Sequence, residues 1–79
     1  MWRLAGDGDL QGVKFCFYTE RNYKYRIEEA LNAASEYGHL NIVEFLCSVG
    51  AVATRDEMRI AFINGHLNIV KYYHQRGVE

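Results

Sequence analysis

The hexapeptide Gly38-His39-Leu40-Asn41-Ile42-Val43 recurs letter for letter as Gly65-His66-Leu67-Asn68-Ile69-Val70, 27 residues later. A chain that writes the same six residues twice builds the same local structure twice, so duplication governs every reading of its fold. The same offset pairs Leu31 with Met58, Ala34 with Ala61, Phe45 with Tyr72 and Gly50 with Gly77. A weaker third copy lies upstream at an offset of 30, where Gly8-Asp9-Leu10-Gln11-Gly12-Val13 falls under the hexapeptide and Phe15 under Phe45.

Each copy divides into two helices. Ile27, Leu31 and Ala34 recur at i, i+4 and i+7 and form one apolar stripe, which Gly38 ends. Leu40, Val43, Phe45, Leu46 and Cys47 give the apolar side of a second helix, ended by Gly50. Glycine suits these ends because it enters the left-handed region without a Cβ penalty. In the last copy Thr54 and Glu57 have the spacing of a capping box, and Met58, Ile60, Ala61 and Phe62 follow as the apolar side. The pattern predicts helices over 1–6, 10–19, 28–37, 40–48, 55–64 and 67–76, with Tyr18–Arg26 as a long tyrosine-rich loop. Helices this short do not persist alone, and two residues between them force antiparallel hairpins that stack.

The stretch Leu31–Ala51 resembles the ankyrin repeat, whose hallmark is two small residues, then Gly-His-Leu-x-Ile-Val, an apolar run and Gly-Ala. Arg59–Gly77 repeats it, and Trp2–Phe17 is similar to an N-terminal capping version. Short, proline-less repeats of this kind are similar to those of protist and giant-virus ankyrin arrays. The resemblance implies an all-α solenoid of three stacked helix-turn-helix repeats (about 1–24, 25–52 and 53–79) forming one domain. The chain departs from the family where Glu29-Ala30-Leu31-Asn32 and Asp56-Glu57-Met58-Arg59 replace Thr-Pro-Leu-His. Its spacing is also shorter than the usual period of about 33, which leaves no room for a β-hairpin finger between the last two copies.

Ankyrin repeats bind proteins through inter-repeat loops and the open face of each first helix. That implies a partner-binding surface of Tyr25, Arg26, Glu28, Glu36 and Tyr37 in the middle copy. In the last copy it implies Val52, Ala53, Arg55, Ile63 and Asn64, and in the first Gly6 and Asp7. Tyr37, Tyr25 and Ile63 have the size and amphipathic character of interface anchors, or else simply cover the neighbouring helix. The expected function is a non-catalytic module that binds another protein. The alternatives are an architectural or self-associating element of a longer array, with end-to-end contacts between copies, and single-stranded nucleic-acid binding through Tyr23, Lys24, Tyr25 and Arg26.

Composition weighs against other classes. A net charge of −1 and a pI near 6.3 lack the basic footprint of a nucleic-acid binder. No apolar run is long enough for a membrane span and no leader pattern is present, so an intracellular, cytoplasmic address is expected. Cys16 and Cys47 read as buried thiols rather than a disulfide or metal pair. Gly6-x-Gly8-x-x-x-Gly12 lacks the strand and the Lys-Ser/Thr of a phosphate loop, and no catalytic constellation appears. No cofactor and no metal are expected. His39 and His66 occupy one slot in two copies and suit a structural role, an imidazole satisfying turn carbonyls or helix-start amides. Phe62 and His74 stand where a small residue and a leucine belong, which reads as a C-terminal cap, and Trp2 reads as a cover for the first helix pair.

Overall fold

The computed structural model describes residues 5–19 and 23–78. Of Cys16, Thr19 and Tyr23–Arg26 it describes the backbone alone. Within it lie α1 (Leu10–Thr19), α2 (Tyr23–Tyr37), α3 (Leu40–Ser48), α4 (Arg55–Ile63) and α5 (Leu67–Gln75). No strand occurs among the described residues, so the protein is all-helical there. Ala5 and Gly6 are helical, while residues 1–4 of the expected first helix, Trp2 among them, lie outside the described residues.

Tyr18–Arg26 is not a loop throughout. Helix α2 begins at Tyr23, five residues ahead of the expected start. The physical reason is local: Tyr23-Lys24-Tyr25-Arg26 contains neither glycine nor proline, and Ile27 already carries the buried stripe continued by Ala30, Leu31 and Ala34. Elsewhere the periodicity places α1 and α3 residue for residue and the ends of α4 and α5 within one.

Helix α2 packs against α3 and α4 against α5 as antiparallel hairpins, and α2 also lies beside α4. On the other layer α1 meets α3, and α3 meets α5. The core runs between the layers through Leu31, Ala34, Ile42, Val43, Leu46, Ala61, Ile69 and Tyr73, all fully buried. Small residues at Ala30, Ala33, Ala34 and Ser35 let α2 approach its neighbours closely. Phe45 stands edge-on to Phe17 at 5.8 Å, with the Lys14 ammonium 5.5 Å from its ring centre.

One polar pair crosses this core. Ser35 Oγ donates to the Leu31 carbonyl at 2.8 Å, so its single proton is committed there and it accepts from the Tyr73 hydroxyl. Tyr73 therefore keeps its proton, and burial holds its phenol well above the ordinary range. Burial likewise raises the thiol of Cys47, a free cysteine on α3.

The hairpin turns show what the repeated hexapeptide is for. Gly38 at φ +84 and Gly65 at φ +78 are left-handed. Each lets the next residue's N–H reach back to a helix carbonyl, His39 to Ala34 at 3.0 Å and His66 to Ala61 at 2.8 Å. The asparagine of each copy then supplies the cap that its histidine does not. Asn41 Oδ1 accepts from Ile42 N–H, and Asn68 Oδ1 from Ile69 N–H, both at 2.9 Å. At α4 the capping box forms: Thr54 N–H donates to the Glu57 carboxylate at 2.8 Å, and Asp56 N–H donates to Thr54 Oγ1. The link before it, residues 51–53, carries no strand pairing, and Ala51 is buried within it.

Candidate binding surface along the inner helices

The two histidines hold adjacent turns in register. His66 Nε2 lies 2.9 Å from the Glu36 carbonyl, and His39 Nε2 lies 2.9 Å from the Gly6 carbonyl. A carbonyl oxygen only accepts, so in both rings the proton sits on Nε2. Each ring rests on the glycine of the preceding turn. A Cβ on Gly38 would come within 2.6 Å of the His66 ring, and one on Gly8 within 2.8 Å of the His39 ring. The turns thus form a row of Gly6-Asp7, Glu36-Tyr37 and Ile63-Asn64, fixed by contacts between copies.

That row gathers part of the expected surface. Glu36 is exposed through its side chain, while its carbonyl is held by His66. Tyr37 is 60% exposed, yet the edge of its ring lies over Gly6, so it both covers its neighbour and presents an open face. Ile63 is 72% exposed at the end of α4. Asn64 is exposed but folds its amide onto the Ile60 carbonyl at 2.8 Å, which commits part of its hydrogen-bonding capacity within its own helix.

Glu28, Val52 and Arg55 are exposed as well, but they lie toward the other end of the inner helices. Eight residues of helix separate Glu28 from Glu36, a distance of about 12 Å at 1.5 Å per residue. Ala53 is half-buried against the core and offers little to a partner. Tyr25 and Arg26 fall in the opening of α2, on helix rather than on the expected loop, and their side chains lie outside the described residues.

Between the two ends runs an open groove of about 310 Å³ lined by Glu29, Asn32, Ala33 and Glu36. These four stand at i, i+3, i+4 and i+7, one stripe of α2. Of the four only Glu36 belonged to the expected surface; Glu29, Asn32 and Ala33 did not, although that spacing was there to be read. Ala33 makes the groove: a larger side chain there would fill its floor. With Glu29 and Glu36 on its walls, the groove favours a cationic group and the exposed Tyr37 beside it an apolar one.

Among the described residues no three His, Cys, Asp or Glu side chains cluster as metal ligands, and no helix is long and apolar enough to cross a membrane. The chain matches no protein-family model, no curated protein and no solved structure.

Proposed function

We propose that the chain is a non-catalytic, ankyrin-type module that binds another protein along α2 and the adjoining row of turns. The observation that carries this reading is the groove of Glu29, Asn32, Ala33 and Glu36 on α2, with the exposed Tyr37 following Glu36 in the chain and the exposed Ile63 at the end of α4. The partner that suits it is a protein segment setting a Lys or Arg between the two glutamates and an apolar side chain against Tyr37. The mechanism is display on a rigid frame. The backbone at Glu36 is already tied to His66, so little order is lost on binding there.

A photo-crosslinking residue at Asn32 tests the proposal against the same residue at Glu44, an exposed position on α3. The groove position captures a discrete protein, and the captured species disappears with Tyr37→Ala combined with Glu36→Lys in a chain that still unfolds cooperatively. Equal capture from both positions, or capture indifferent to the double substitution, refutes it.

A further inference from the structure

Three turn glycines share one conformation, and two of them have a neighbour that the third lacks. Gly8 (φ +79) lies under the His39 ring and Gly38 (φ +84) under the His66 ring. Gly65 (φ +78) has no described atom within 4 Å of the position a Cβ would take. In each filled turn the carbonyl two residues before the glycine, that of Gly6 or Glu36, receives the ring's Nε2–H. At the third turn the carbonyl in that place belongs to Ile63.

The surface around Gly65 changes in the same sense. Ser35 is fully buried and Leu40 half-buried, whereas their counterparts one copy later, Phe62 and Leu67, are each 65% exposed. Ile63 beside them is 72% exposed. Phe62, Ile63 and Leu67 give this end of the described fold an apolar surface, and of the two residues expected to form a cap, the bulky Phe62 and His74, only the exposed His74 is polar.

We propose that this end is a docking surface for a further helical hairpin with a Gly-His-Leu turn, whose histidine lies on Gly65 and donates Nε2–H to the Ile63 carbonyl. The occupant is defined by contacts the chain makes twice within itself. The first turn of a second copy does not satisfy them. It brings Asp9 where the histidine belongs, and that carboxylate, already accepting from Gly12 N–H at 2.9 Å, would face a carbonyl that also only accepts. Size adds a second requirement. Phe62 stands where Ser35 receives Tyr73, so the incoming hairpin carries a small residue at the Tyr73 position.

The test joins the intact chain to a duplicate of residues 53–78 carrying Tyr73→Ala in the duplicate, and reads amide hydrogen exchange in the parent turn. Exchange at Gly65 and His66 slows roughly tenfold or more relative to the unextended chain. His66→Ala in the duplicate removes most of that protection. Unchanged exchange in the extended chain overturns the proposal, and so does protection that survives His66→Ala. If the unextended chain protects the same amides as its concentration rises, a second copy is the occupant and the proposal again fails. The α2 groove plays no part in the experiment, so either outcome leaves the reading of that groove where it stands.

Discussion

Gly38 and Gly65 sit in identical hexapeptides with nearly identical φ, +84 and +78, yet replacing each with alanine is expected to have different consequences. Both substitutions force an L residue into the left-handed region, at about 1–2 kcal/mol, and both recover about 0.4–1 kcal/mol from a stiffer unfolded chain. These contributions cancel in the comparison. What remains belongs to Gly38 alone, where the new methyl would stand 2.6 Å from His66 Cε1 and Nδ1 and must displace the ring. Displacement loses the 2.9 Å bond to the Glu36 carbonyl, worth about 0.5–1.5 kcal/mol, together with the ring's packing on the turn. Gly38→Ala should therefore cost about 1–2 kcal/mol more than Gly65→Ala. At this chain length each kcal/mol lowers the Tm by about 4–8 °C. Urea titrations of the two variants measure the gap, and repeating them with His66→Ala removes the cause. The gap should then close to within the few tenths of a kcal/mol expected of independent sites. Equal costs in the parent background, or a gap that persists without the histidine, would show that the ring does not lock one copy to the next.

Three further outcomes follow from the same contacts. Ser35→Ala should destabilise more than Tyr73→Phe, by about 1 kcal/mol in chemical denaturation. The first strands a buried phenol donor, whereas the second leaves Ser35 still bonded to Leu31. Burial raises the Tyr73 phenol, so the unfolded chain releases its proton near pH 10.0 while the native chain holds it. Stability contributed by this group is present below that pH and should fall above it by about 1.4 kcal/mol per pH unit, a share of the alkaline decline that Tyr73→Phe removes. Cys47 and Tyr72, both raised chiefly by burial, shift the decline in the same direction, beginning near pH 9.0 for the thiol. Thr54→Ala should cost about 1 kcal/mol in thermal melts, because it removes the hydroxyl from the α4 capping box, and Thr54→Ser should restore most of it.

Much of the helical frame was legible because it is written in local terms. The apolar periods of Leu10–Thr19 and Leu40–Ser48, and the left-handed Gly50 after the second, need no partner to be recognised. The start of α2 was not legible. Tyr23–Arg26 has no helix-start signal and a composition that loops also use, and only its continuity with buried Ile27 settles it. The candidate surface divides in the same way. Glu36, Tyr37 and Ile63 were legible as large or charged groups on an open face, and the structure joins them to the turn row. The groove floor at Ala33 and the inward fold of Asn64 depend on what lies alongside, which no residue announces about itself.

The repeated hexapeptide determined by itself that two turns would have one backbone, one glycine conformation and one asparagine cap, since these arise from interactions within a few residues. Tertiary structure alone decided that the same letters have different neighbours: the His66 ring on Gly38, and open space beside Gly65. Local geometry is fixed by the chain's own covalent neighbours, whereas burial is fixed by whichever segment packs next, and identical sequences separated along a stack do not share that segment.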